Sequence, residues 1–174
     1  TGNYQPRSSE GTFQTSSPSM DISKASNFER FIFDLLGRDS VQLSSYWKEV
    51  DQGGSFKLSE DEFDLISSFG FISSSSQHTN RIKLISNYFE KFGIMIDPHT
   101  ADGIKAALDH IDQDIPMIVL ETALPIKFEQ SILEATGKKP ERPEGLKDIE
   151  LLKQKLEILD NDVDLIRLFI REKT

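Results

Sequence analysis

Apolar side chains in residues 26–36 fall at Phe28, Phe31, Ile32, Leu35 and Leu36, the spacing that lays one stripe along a helix. Ser26 and Glu29 predict a capping box at its start, and Gly37 a stop at its end. A second helix is predicted over 41–50, with Tyr46, Trp47 and Val50 turned inward. Ser59 and Glu62 repeat the box ahead of Phe63, Leu65 and Ile66. After the polar stretch SSSSQHT, Thr79 is the expected cap of a fourth helix. Its inward positions are Ile82, Ile85, Phe89 and Phe92, and Gly93 closes it.

From residue 93 the rhythm changes. Short apolar runs at 93–96 and 117–120 alternate with helices expected from Asp97 and from Pro125, the order in which strands cross over through a helix to form a parallel sheet. The predicted class is α/β: a partial parallel sheet, with a mainly helical region inserted before it. Two strands are too few for a sheet covered on both faces, so further strands are expected from other polypeptide. The linker KKPERPEGLKD precedes a stripe at Leu146, Ile149, Leu152, Leu156 and Leu159, read as a helix. Asp162 is the expected cap of a last helix carrying Val163, Ile166, Phe169 and Ile170. The expected organisation is an irregular connecting segment at 1–20, a mainly helical region at 21–93, an α/β part at 94–137, and a linker with carboxyl-terminal helices at 138–174. The lead-in from Thr1 is aperiodic and reads as beginning mid-protein.

Charge and composition narrow the partners. The 174 residues carry 29 acidic and 20 basic side chains, a net charge of -9 that repels phosphate backbones and anionic lipid. Nucleic acid and membrane surfaces are not expected partners. There is no cysteine, which removes disulfides and thiolate metal sites and suits a cytoplasmic setting. No apolar run approaches the roughly 20 residues needed to span a bilayer.

Some patterns offer chemistry that their neighbours do not support. TGNY at 1–4 lacks the helix start that a phosphate-cupping loop requires. In residues 51–62, Asp51 and Glu62 occupy the outer positions of a calcium loop, but Gly53, Ser55 and Phe56 stand where oxygen ligands and the turn glycine belong. No metal site is expected. Lys57 lies beside Glu60, Asp61 and Glu62, which stabilise it as a cation rather than as the neutral amine a Schiff base needs.

IDPHTADGIKAAL is more informative. Asp97 suits an N-cap and Pro98 the first helical position, so His99 and Thr100 fall in the first turn, beside unpaired backbone amides. His99 is either a neutral hydrogen-bonding group lining a pocket, with Thr100, or a residue packed beside the strand end. Thr122 stands where the second apolar run ends, at the edge where open α/β sheets bind ligands. Its hydroxyl is suited to a ring nitrogen, while its spacing favours capping the helix from Pro125.

In that order and at these intervals, SPSMDISKASNFERFIFDLLGRD, IDPHTADGIKAAL and VLETALPIKFEQSI resemble the carboxyl-terminal part of the threonine synthases. The resemblance runs from about Leu43 backwards and from Ile94 forwards, leaving the acidic helical middle as the variable portion. It implies a pyridoxal-phosphate enzyme of tryptophan-synthase-like fold that converts O-phospho-L-homoserine and water into L-threonine and phosphate. It places the contact to the cofactor's pyridine nitrogen on Thr122. The family's Schiff-base lysine and glycine-rich phosphate cup match nothing in these residues, so no catalytic residue is expected here. The amino-terminal part of the same protein becomes the expected partner, and the segment alone is expected to be inactive. The family pattern often has His where Leu124 stands, a departure that changes the polar contacts if that position touches substrate. The alternative from the residues alone is a non-enzymatic acidic helical module that binds a partner chain.

Overall fold

Helices α1 (Ser26–Leu35) and α2 (Ser40–Asp51) form on the stripes that predict them, but α1 begins without its expected box. Its N-cap is Ala25, with no side-chain bond; Ser26 is already helical and cannot reach back to cap. α2 is capped by Asp39, whose Oδ1 accepts from the amides of Val41 at 2.9 Å and Gln42 at 3.0 Å. The structure is a computed structural model, described for all residues except Thr1, Ser9, Glu10, Thr12 and Thr174. The phosphate-loop pattern at 1–4 therefore lies partly outside the described residues.

Helix α3 (Glu60–Ser68) carries the predicted reciprocal box. The Ser59 amide donates to Glu62 Oε2 at 2.8 Å and the Glu62 amide to Ser59 Oγ at 3.2 Å. Gln42 Nε2 of α2 donates to the other Glu62 oxygen at 2.9 Å, so one carboxylate ties two helices. Burial alone would raise the Glu62 carboxyl, but the Ser59 amide, Gln42 and the Ser59 hydroxyl together hold it below its ordinary value of 4.5. A group with a depressed folded-state pKa adds stability above its unfolded pKa and loses it as pH falls through the folded one. Glu62→Gln is therefore expected to cost about 0.5–1 kcal/mol at neutral pH, with the difference from wild type shrinking as pH falls below 4.5. Urea unfolding of both chains across that range checks it.

The opening residues are not wholly irregular. Strand β1 (Asn3–Tyr4) pairs antiparallel with β2 (Phe56–Lys57), Tyr4 opposite Phe56. The Tyr4 ring lies 4.8 Å from Phe28 and 5.2 Å from Phe56, and Tyr46 stacks on Phe56 at 4.6 Å. These rings close a first core of Ile32, Leu35, Trp47, Val50, Phe56 and Leu58. Tyr4 thus ties the start of an aperiodic lead-in to the first core.

A second core is built by α4 (His78–Phe92), α5 (Pro98–Asp109) and α6 (Glu129–Thr136) around Ile85, Ile96, Ala101, Ile104 and Ile132. α4 starts one residue before Thr79; the Gln77 amide donates to Asn80 Oδ1 at 2.9 Å, so Thr79 is helical and does not cap. Gly93 ends α4 with φ of 71°, a left-handed conformation open to a residue without Cβ. Packing joins α4 to the residues after it, whereas the division expected at residue 93 follows composition.

The two apolar runs, at 93–96 and 117–120, join no ladder among the described residues. They still show one covered face: Ile96 is buried and Val119 packs on the second core, while Ile118 and Leu120 are 81% and 75% exposed. That is the alternation of extended segments with one face covered. The helix expected from Pro125 begins as a 3-10 turn, Pro125–Phe128, before α6.

The chain divides into two compact units, Thr1–Pro140 and Glu141–Thr174. In the second, α7 (Val163–Lys173) forms behind Asp162, whose Oδ1 accepts from the amides of Asp164 at 2.9 Å and Leu165 at 3.0 Å. The helix expected on the stripe from Leu146 to Leu159 does not form. Only short 3-10 turns, Glu144–Leu146 and Ile149–Leu151, interrupt an extended path on which Leu156 and Ile158 are 63% and 91% exposed. A stripe with nothing to bury against does not offset the entropy of winding the backbone. Among the described residues no helix is long and apolar enough to cross a membrane.

Candidate functional site

The start of α5 is fixed by a carboxylate removed from water. Asp97 is 0% exposed, and its Oδ1 accepts from the amides of His99 at 2.8 Å and Thr100 at 3.3 Å. Its Oδ2 accepts a hydrogen bond from the Thr100 hydroxyl. The positive end of the helix and these donors compensate the burial of the charge. Thr100 Oγ1 in turn accepts from the Thr122 amide at 3.4 Å. A chain of contacts thus runs from the buried cap through Thr100 to the end of the second apolar run.

That run lies close along α5. A Cβ added to Gly103 would sit 3.2 Å from Val119 Cγ1, so a side chain there would require Val119 to shift by a few tenths of an ångström. Beyond it opens a concavity of about 370 Å³. His99, Gly103, Ala106 and Ala107 of α5 form one wall, residues 117–120 and Thr122 the other, and Ile72, Ser73, Ser74 and His110 the remainder. The surface is largely apolar, with Ser73, Ser74, His99, His110 and Thr122 as its polar side chains, the form of a small-ligand cleft.

His99 and Thr122 therefore share one concavity, with Thr100 behind them. Thr122 does not cap the following turn: the N-cap there is Leu124 and no side chain bonds to it. The Thr122 side chain is exposed, and its hydroxyl has no partner among the described residues. The His99 ring meets the Phe128 ring edge-on at 4.9 Å, and its Nδ1 contacts the hydroxyl of Ser17. Ser17 is 0% exposed.

Sequence reasoning missed the groups that hold this end together. Residues 15–21 form a clasp in which Asp21 accepts from the Thr15 amide at 2.9 Å and hydroxyl at 2.7 Å. The bond from the Thr15 backbone, then that from its hydroxyl, lowers the Asp21 carboxyl from its ordinary value. Arg81 of α4, 5% exposed, donates to Asp102 Oδ1 at 2.8 Å and to Ser16 Oγ at 3.2 Å. His78 bridges Ser16 Oγ and Glu134 Oε1, each at 2.9 Å. One signal was present: Arg81 stands four residues before Ile85, on the inward face.

The other candidates sit elsewhere. Asp51 pairs with Lys24, while Glu62 caps α3, so the two carboxylates of the calcium pattern are engaged separately. Lys57 lies exposed on β2 and is not among the residues lining the concavity. Among the described residues no cluster of acidic or histidine side chains has the form of a metal site.

Comparison with known proteins points one way. Residues 100–170 match the family described as "Threonine synthase, C-terminal". A threonine synthase of Methylobacillus glycogenes is 53% identical over 173 residues, covering 99% of this chain and 36% of the relative. One of Corynebacterium glutamicum is 47% identical, covering 98% of this chain and again 36% of the relative. The solved structure of a pyridoxal-phosphate-bound threonine synthase from Brucella melitensis superimposes with a TM-score of 0.80 at 34% identity, over 99% of this chain and 36% of that one. The yeast threonine synthase gives 0.74 at 27% identity, over 99% and 38%. The chain spans about a third of the length of the curated relatives it matches. The α/β fold class is that of these structures.

Proposed function

Because the chain belongs to the threonine synthase family, matching its carboxyl-terminal region, we propose that it works within an enzyme that converts O-phospho-L-homoserine and water into L-threonine and phosphate. The interaction-module alternative is not favoured, since the likeness covers 99% of the chain rather than its acidic helices alone. On this reading the cofactor is pyridoxal phosphate, and the amino-terminal part of the same protein supplies the reactive lysine and the phosphate cup. It also supplies the strands beside the unpaired runs, leaving this segment one wall of the cleft. The setting is a cytoplasmic biosynthetic one.

The observation that carries the assignment is the Thr122 hydroxyl, without a protein partner among the described residues, in a concavity that His99 also lines. A pyridine nitrogen fits a neutral hydroxyl, which donates to it without forcing protonation as a carboxylate would. The residues fit that end of the cofactor only; the concavity offers no arginine or lysine for a phosphate group. When bound, pyridoxal phosphate supplies an electron-withdrawing ring that stabilises negative charge on substrate carbon. Thr122 orients that ring, with its backbone fixed by Thr100 and Asp97, and residues 117–120 form an apolar wall beside it. Leu124, the N-cap of the Pro125 turn, carries no polar group.

Thr122→Val in the full-length enzyme removes one neutral hydrogen bond while keeping the shape. Turnover is expected to fall about tenfold, with the cofactor still loading by its visible absorbance, and Thr122→Ser is expected to restore most of the loss. Unchanged turnover in the valine variant rejects the assignment.

A further inference from the structure

We propose that Ser17 is a positioning residue that fixes the His99 ring in one neutral tautomer, with its remaining N–H, on Nε2, offered to the cleft. The Ser17 hydroxyl is fully buried, and its one partner among the described residues is His99 Nδ1. A buried hydroxyl proton goes to an available acceptor, and here that is the ring nitrogen. Nδ1 is then an acceptor, so in the neutral ring the proton resides on Nε2. That atom has no protein partner among the described residues, while the ring lines the same concavity as Thr122. The Phe128 edge contact restricts rotation of the ring.

The hydroxyl is itself held. The Ser17 amide donates to Thr15 Oγ1 at 3.1 Å, Asp21 takes both Thr15 donors, and the Met20 amide returns to the Ser17 carbonyl at 2.8 Å. A rigid turn therefore aims one proton at one ring nitrogen. The consequence is a directed donor for an acceptor oxygen of the substrate, rather than a base. This role deepens the function proposed above and its kinetic part rests on that reading; the tautomer does not.

The test uses the full-length enzyme with 15N-labelled histidine, the His99 signals being assigned by their loss in His99→Gln. The wild type is expected to show a protonated-type shift at Nε2 and a lone-pair-type shift at Nδ1. Ser17→Ala should lose that fixed pattern and populate both tautomers, whereas Ser16→Ala, whose hydroxyl meets His78 and Arg81 instead, should leave it intact. A proton on Nδ1 in the wild type, or the same His99 pattern in wild type and Ser17→Ala, overturns the proposal. With O-phospho-L-homoserine, Ser17→Ala is expected to lower kcat/KM about five- to tenfold, as for one misdirected neutral hydrogen bond. An unchanged kcat/KM beside a scrambled tautomer overturns the substrate-facing role alone. If wild-type enzyme has no such activity, the functional reading falls while the tautomer result still decides the role of Ser17.

Discussion

Replacing Arg81 with methionine is expected to lower the stability of the chain by about 3–5 kcal/mol, as for one partner taken from a buried ion pair. The Arg81 and Asp102 side chains are 6% and 16% exposed, and Asp102 Oδ2 already has no partner among the described residues. Without the guanidinium, the carboxylate keeps its desolvation penalty and loses its one bond. Ser16 Oγ and the Ser76 carbonyl, the latter at 3.4 Å, lose a donor as well. Removing both charges separates the causes. Arg81→Met with Asp102→Leu is expected to recover most of the loss, because a buried pair exchanged for apolar groups is often neutral. The recovery stays incomplete by about 1 kcal/mol for the serine contacts. Denaturant midpoints of the wild type, single and double variants measure all of it, and a double variant no better than Arg81→Met refutes the account.

Asp97→Ala is the second large effect, expected at about 2–3 kcal/mol from a lost helix cap and a buried hydroxyl left without its acceptor. Asp97→Asn keeps the Oδ1 acceptor for the His99 and Thr100 amides, and its NH2 group donates to Thr100 Oγ1 where Oδ2 had accepted, so it is expected to lose less than the alanine variant, about 1 kcal/mol. The alanine variant also frees Thr100 Oγ1 from the bond that aims it, so the Thr122 amide should exchange with solvent faster than in the asparagine variant. Equal losses in the two variants would show that charge, not capping, sets the stability of this turn.

What was legible in the sequence is what local chemistry decides. Asp97, Pro98 and the turn carrying His99 and Thr100 follow from residue types within four positions of one another, and the structure forms them as read. The box at Ser59 and Glu62 is equally local. Ser26 and Thr79 are also cap-type residues, yet α1 already begins at Ser26 and α4 at His78, so both stand inside the first turn and neither caps it. The stripe from Leu146 to Leu159 misled because periodicity shows that a helix could bury a face, not that a partner face exists. The two apolar runs carry the alternation of strands, but a ladder needs neighbours that these residues do not supply. Within the cleft, Thr122 and His99 stand out by motif, whereas Ser17 and Arg81 act across distances that no spacing rule reaches.

That distance has a consequence for how the cleft comes into being. Residues 16 and 17 meet His78, Arg81 and His99 across separations of 62, 65 and 82 positions. Each such contact closes a long loop and gains nothing until α4 and α5 already stand. The His99 side of the cleft is therefore assembled after its helices on the folding route. By the same logic it is the first part to open when the protein breathes, while the isoleucine core beneath it stays shut.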